Sequence, residues 1–167
     1  CIIDTDLDTK VCVEENPDED IIRFYVEDTE VMKHRGFALE MLNNGQSVFI
    51  GEEAGENDDM SDNENVFVGY RSGWKNTVGE SLTGCGFQTL FNNTSGEQNT
   101  AFGFNALHNN TTADNNTAVG HSALFSNMIG KNNTAVGHKA LWANDGDDNV
   151  AVGYWALMDN TSGERNN

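Results

Sequence analysis

The chain has 167 residues, 37% of them hydrophobic, with 17 glycines against one proline; 27 acidic and 9 basic side chains give a formal charge of −18. That balance excludes nucleic acid as a partner, because phosphates need a basic surface, and it disfavours docking on anionic lipid. No apolar run approaches the roughly 18 residues that cross a bilayer, so no membrane insertion is expected, and the thin apolar content suits units that each bury a narrow strip against a neighbour.

Residues 1–45 read as a small β-layer or connector. Lys10–Glu14, Ile21–Val26 and Glu30–Lys33 are rich in β-branched and aromatic residues and predict short strands. Turns are predicted at Asn16–Asp20, Glu27–Thr29 and Asn43–Gly45, with a further short piece over Phe37–Leu42. The three cysteines, Cys1, Cys12 and Cys85, lack the spacing of a zinc or redox motif. Cys1 reads as an arbitrary boundary rather than a lipidated terminus, and Cys85 as a small buried apolar side chain.

From residue 46 onward the chain repeats. Aligning on Gly51, Gly69, Gly86, Gly103, Gly120, Gly137 and Gly153 brings SVFIGEEAG, NVFVGYRSG, LTGCGFQTL, NTAFGFNAL, NTAVGHSAL, NTAVGHKAL and NVAVGYWAL into register, at intervals of about 17 residues. Four residues before the glycine stand Asn65, Asn99, Asn116, Asn133 and Asn149, with Ser47 and Leu82 as exceptions. Seven after it stand Asn76, Asn93, Asn110, Asn127, Asn144 and Asn160, with Asp58 in the first coil. Stacked coils put equivalent residues about 4.8 Å apart, so these positions predict two structural asparagine ladders.

The residues one and three before the glycine (Val119 and Thr117, for example) are two apart and predict the inward face of a short strand. Leu90, Leu107, Leu124, Leu141 and Leu157, four after it, form a second apolar column, so that each coil is expected to supply about two strands and two polar corners. The glycines and asparagines recur too often for helix. The fold class expected is all-β: a parallel β-roll or solenoid of about seven 17-residue coils over residues 46–167, preceded by the short β-strand layer. Gly163–Asn166 matches Gly96–Asn99, so the roll is expected to be truncated mid-repeat at its C-terminal end.

The Asn-Thr-Ala-Val-Gly-x-x-Ala-Leu coils resemble the heads of trimeric autotransporter adhesins and the related repeats of bacterial and phage trimeric fibres. The segment VEENPDEDIIRFYVEDTEVMKHR is similar to the strand-rich stretch before a glycine-containing turn in tail-fibre-like proteins. The resemblance implies a left-handed roll in a parallel homotrimer, projecting from a cell or virion surface to bind a host glycan or protein. Adhesin-head coils are commonly shorter than these, which puts different contacts at the extra corner. The family is not catalytic, so no catalytic residue and no cofactor are carried over.

Two columns are rich in rings: Tyr70, Phe87, Phe104, His121, His138 and Tyr154 directly after the glycine, and Trp74, Phe91, His108, Phe125 and Trp142 five after it, with Met158 in the last coil. Flat rings can stack on sugars, and they can equally bury a trimer seam or fill the core. Trp74, Trp142 and Trp155 are the candidate ligand-stacking residues. His121 and His138 could hold a metal, but an aromatic slot accounts for them, and no metal site is assigned. The acidic runs Asp4–Asp8, Asp18–Asp20, Asp58–Asp62 and Asp145–Asp148 form no complete calcium loop and read as solvated surface. The Asn-x-Ser/Thr triplets follow from the ladder corner and say little of glycosylation.

The function expected is structural and adhesive, within a surface fibre. A bacteriophage tail-fibre shaft is the alternative. A left-handed β-helix acyltransferase is a distant one, since its hexad recurs three times per coil rather than once.

Overall fold

The computed structural model describes residues 46–59, 61 and 63–167 with their side chains and, within residues 1–45, the backbone of five strands. The chain divides into two compact units, 1–46 and 47–167. In the first unit, β1 (Ile2–Ile3), β2 (Thr9–Val13), β3 (Ile21–Val26), β4 (Thr29–Arg35) and β5 (Ala38–Met41) pair antiparallel in chain order, with one register shift between Phe24 and Tyr25. Thr29, placed in a turn by its sequence, opens β4; the other predicted turn residues lie outside the described residues.

The second unit is a parallel β-solenoid. Its strands are β6 (Val48–Ile50), β7 (Val66–Val68), β8 (Thr83–Cys85), β9 (Thr100–Phe102), β10 (Thr117–Val119), β11 (Thr134–Val136) and β12 (Val150–Val152), joined in one sheet in sequence order. Equivalent residues pair throughout, as in Thr100↔Thr117↔Thr134. Equivalent residues of successive coils are 18, 17 or 16 positions apart, and the two exceptions to 17 fall at the same corner. The extra residue lies between Asp58 and Asn65, and the missing one between Asn144 and Asn149. Length therefore varies outside the buried columns, which never lose register.

Each coil contributes one strand rather than two. The segment after the signature glycine is a chain of turns, because the residues two and four beyond it have positive φ: Asn105, Ser122 and Lys139 at 54–55°, and Leu107, Leu124 and Leu141 at 49–51°. An extended strand cannot form there, yet the backbone remains bonded from coil to coil, as in Asn105 N to Phe87 O (2.9 Å) and Leu107 N to Ala123 O (3.0 Å). A leucine in the left-handed region costs about 1–2 kcal/mol, offset by the roughly 1.5–3 kcal/mol gained when its side chain is buried. The signature glycines have φ between 123° and 139°. A side chain on Gly120 would run into the carbonyl of Gly137 in the next coil, so backbone shape and close approach both require glycine.

The strand faces the core with the opposite parity to that expected. The middle residue points inward: Phe67, Ala101, Ala118, Ala135 and Ala151 are buried, whereas Phe102, Val119 and Val136 beside them are 43%, 38% and 36% exposed. Cys85 belongs to the same outward row and is half-exposed, not buried. The physical reason is width. The core is a single gap between the strand and the turn layer, and opposite a leucine the inward residue is small, alanine or, at Gly84, glycine.

Two packing solutions fill that gap. The first two coils place Phe49 and Phe67 inside opposite Gly55 and Gly73; a Cβ on Gly73 would fall within the Phe67 ring. The later coils use Ala101, Ala118 and Ala135 opposite Leu107, Leu124 and Leu141. The third coil joins them with Gly84, which lies against Phe67, followed by Leu90. Volume is conserved while its owner changes.

The asparagine columns close the polar corners. Asn93, Asn110, Asn127, Asn144 and Asn160 each donate from Nδ2 to Oδ1 of the equivalent residue one coil earlier, at 2.9, 2.7, 3.4, 3.2 and 2.8 Å. This one-way chain of amides terminates on a carboxylate, with Asn76 Nδ2 donating to Asp58 Oδ2 at 2.9 Å. A carboxylate only accepts, so it suits an end at which amide hydrogens arrive. The second column accepts backbone N–H groups instead. Asn65, Asn99, Asn116, Asn133 and Asn149 offer Oδ1 to the main-chain nitrogens of Leu82, Asn116, Asn133, Asn149 and Asn166 at 2.9–3.0 Å, and Ser47 Oγ serves Asn65 in the same way. The columns converge on shared carbonyls. Gly130 O, for instance, receives Asn116 and Asn127 at 2.9 and 2.8 Å.

Truncating Phe67 to alanine is expected to cost about 3–5 kcal/mol in chemical denaturation. The double variant Phe67→Ala/Gly73→Leu recreates the alanine–leucine coil and recovers a substantial part of that loss, whereas Gly73→Leu alone is strongly destabilising. Asn116→Ala strips the buried Asn133 N–H of its acceptor and is expected to cost about 1–3 kcal/mol, read from the same melts.

Candidate functional site

The turn layer displays two columns of rings. In the first, Tyr70, Phe87, Phe104, His121, His138 and Tyr154 stack in succession at centroid distances of 5.3, 4.9, 5.0, 5.0 and 5.2 Å. In the second, Trp74, Phe91, His108, Phe125 and Trp142 stack at 5.0, 4.9, 5.0 and 5.8 Å. Parallel register produces both columns: it sets each ring about one strand spacing from the next, a favourable offset-stacking distance. The first column is the more exposed, with Phe104 at 45% and Tyr154 at 70%.

Stacking uses up the faces of interior rings and leaves mainly their edges to solvent. The tryptophans are placed differently. Trp74 and Trp142 are the two ends of the run of rings in the second column, four coils apart; each stacks on one other ring, and Met158 follows Trp142 in the next coil. Trp155 lies outside both columns, two residues after its signature glycine, and stacks on Tyr154 at 4.9 Å. The three candidates are therefore not one cluster: Trp142 and Trp155 form one station and Trp74 another.

Cations mark both stations, a feature the sequence reading did not single out. Lys139 Nζ lies 5.8 Å from the Trp142 ring and 6.0 Å from the Trp155 ring. Arg71 spans Tyr70 and Trp74 at 5.0 and 5.5 Å, and Lys75 Nζ lies 5.8 Å from Trp74. Arg71 is also paired with Glu53 (2.6 Å), whose carboxylate holds the guanidinium above its ordinary value, and Lys75 donates to Asn92 Oδ1 at 2.9 Å. Lys139 and Arg71 share the position two after the glycine, the one that lies beside both ring columns.

His121 and His138 stack on one another with their planes 24° apart, and among the described residues no group of three or more His, Cys, Asp or Glu side chains is arranged to hold a metal ion. The described acidic clusters are engaged locally. Asp58 ends the amide ladder, and Asp59 lies below its ordinary value through bonds from the Ser61 hydroxyl, the Ser61 N–H and Asn63. Asp145 and Asp147 accept the backbone N–H groups of Met128 and Lys131 at 2.9 and 2.7 Å, and Asp148 accepts from Asn132. The clusters at Asp4–Asp8 and Asp18–Asp20 lie outside the described residues.

One acidic column runs the length of a corner, six residues before the signature glycine: Glu80, Glu97, Asp114, Lys131, Asp147 and Glu164. Lys131 interrupts it and binds Asp114 at 2.7 Å. Partial burial pushes the Asp114 carboxyl up, but the hydrogen bond from Lys131, the Glu97 N–H and the lysine charge outweigh it and leave Asp114 below the ordinary carboxylate value. Lys131 is raised in turn, chiefly by the bond to Asp114 and its charge.

No family model matches the chain, and neither the curated proteins nor the solved structures provide a match.

Lys131 separates like charges one coil apart, so Lys131→Gln is expected to lower the melting temperature at neutral pH and low salt. The deficit should shrink at 1 M salt, where the Debye length is about 3 Å. The sign with pH follows from the shifts. The depressed Asp114 contributes stability above its unfolded value of 3.8 and loses it as pH falls through the lower folded value. The raised Lys131 contributes below 10.5 and loses it as pH climbs through the higher folded value. The difference between wild type and variant should therefore be flat between these limits and disappear in acid, as measured by melting against pH.

Proposed function

We propose that this chain is a structural module of an extracellular, homotrimeric surface fibre, carried on a cell or a virion, that presents or makes contact with a host-surface glycan. The observation that carries the reading is the unbroken coil-to-coil repetition of the sheet, the amide ladders and the ring columns. Such a stack is a rod, about 34 Å long for seven coils at 4.8 Å each. Its regular rungs suit spacing and display, and the module is proposed to be a non-enzymatic one without a cofactor. The formal charge of −18 per chain keeps its surface hydrated.

A glycan ligand is supported by the tryptophans at the column ends. The station of Trp142, Trp155 and Lys139 is the better of the two, because two indoles flank one ammonium group, which among the described residues makes no ion pair with an acidic side chain. An indole face accepts the apolar face of a sugar, while the ammonium donates to hydroxyl or carboxylate oxygens. The bacteriophage-shaft reading is favoured by a different observation: the interior rings have both faces covered by their neighbours, as a column built only for stiffness would.

A glycan array probed with the full chain separates the two. Binding that falls at least tenfold in Trp142→Ala and in Trp155→Ala, with an unchanged melt, supports the adhesive reading. Absence of binding across the array, with the rod and its assembly intact, leaves the shaft reading.

A further inference from the structure

Charge is sorted around the cross-section of the solenoid. Between residues 70 and 149 the acidic side chains, Glu80, Glu97, Asp114, Asp145, Asp147 and Asp148, all stand at the corner between the two asparagine columns. The turn layer of the same five coils, residues 70–75, 87–92, 104–109, 121–126 and 138–143, has no acidic residue. It holds instead Arg71, Lys75 and Lys139, and the remaining base of this stretch, Lys131, belongs to the acidic corner. A chain of charge −18 therefore carries one face whose own charges are all positive.

Two of these cations make no ion pair among the described residues. Lys75 Nζ donates to Asn92 Oδ1 at 2.9 Å, and Lys139 Nζ lies 5.8 Å from the Trp142 ring. Arg71 is the exception, held by Glu53 of the preceding coil. From Lys75 a chain of amides leads along the rod toward Lys139. Asn92 Nδ2 donates to Asn109 Oδ1 at 2.9 Å, and the same oxygen accepts from His108 Nδ1 at 2.9 Å. The Nδ2 of Asn109, a half-exposed residue, is left without an acceptor among the described residues.

We propose that this face binds a linear anionic glycan lengthwise, one ligand chain engaging the station of Arg71, Trp74 and Lys75 together with that of Lys139 and Trp142. The proposal rests on the glycan reading above and adds the ligand's charge, its direction and the length it needs. Charge follows from the sorting. Ammonium groups hold carboxylate or sulfate oxygens by charge-assisted hydrogen bonds. At physiological salt a screening length of about 8 Å gives the cations beside the ligand more weight than the acids of the other corner. Direction follows from register. The two stations occupy the same columns four coils apart, which sets them about 19 Å from one another along the rod at about 4.8 Å per coil. The ring edges and the amides of Asn92 and Asn109 lie between them and meet the uncharged parts of the sugars. A shorter ligand reaches one station only. A longer one makes its second contact intramolecularly, which multiplies affinity by about 10²–10⁴.

Titration calorimetry of the full chain with oligomers of graded length tests this. Oligogalacturonates carry carboxylates alone, sulfated dextran oligomers carry sulfates alone, and plain dextran oligomers carry neither. Affinity for at least one charged series should rise about a hundredfold as the oligomer passes about 19 Å, and the series that binds identifies the acid group. The gain should fall with added salt, a readout that needs no variant. Lys75→Gln and Lys139→Gln, with unchanged melts, should each return the long oligomer to the affinity of the short one. Indifference to both charged series, or equal binding of plain dextran, overturns the anionic ligand and leaves the glycan reading to the array. Affinity independent of length, or untouched by either substitution, overturns the lengthwise contact and spares the single stations. No binding to any oligomer, together with a blank array, overturns both readings.

Discussion

Parallel, level pairing of the coils governs everything else in the solenoid. Because each residue lies beside its own equivalent in the coils before and after, every position along the chain becomes a column, and every column must tolerate its own repetition at about 4.8 Å. Hydrophobic side chains tolerate it, and so do rings that stack and amides that bond head to tail. Like charges do not. The asparagines at the polar corners follow from this constraint, since an amide carries both a donor and an acceptor and can therefore extend a chain of identical partners indefinitely. The ladder has a direction, and its donor end requires an acceptor with no hydrogens to place, which is the role of Asp58.

The same constraint explains how a chain of such low apolar content keeps a core. Each coil buries little: one inward strand residue and, in the later coils, two adjacent residues of the turn layer such as Ala123 and Leu124, with phenylalanine facing glycine in the early coils and alanine facing leucine in the later ones. Burial becomes continuous only when coils are stacked, so stability is shared between neighbours rather than held within a unit. Leucines kept at φ near 50° show what the core takes precedence over. Their backbone strain is met coil by coil from the burial of the same side chain. Variation in coil length is admitted at the single corner between the two asparagine columns, where it disturbs neither.

Repetition also sorts the surface. One corner carries carboxylates, spared from an unbroken run by Lys131. The turn layer carries rings whose faces are spent on one another except at the column ends, and cations gather at those ends. The outer face of the sheet carries neither charge nor ring columns, only β-branched and apolar side chains and one thiol row-mate. Repetition thus gives the solenoid three surfaces of different chemistry, each continuous from coil to coil.

The sequence by itself determined the solenoid, because a repeat of about 17 residues with glycine, asparagine and leucine at fixed offsets is compatible only with stacked coils. The asparagine and ring columns were legible for the same reason: in a stack, sequence spacing is spatial adjacency. What the spacing could not decide was parity and depth. Thr117 and Val119, two apart on the strand, were expected to face the core, yet Ala118 between them is the inward residue, since the inward direction is set by the width of the gap left by Leu124 across the core. Cys85 and the second expected strand were misplaced through the same missing dimension: a period of two shows that a strand has two faces but not which is covered, and apolar spacing in the turn layer does not reveal positive φ. The cations over Trp74, Trp142 and Trp155 were equally invisible, because they reach their rings across neighbouring columns, a direction that only the folded cross-section defines.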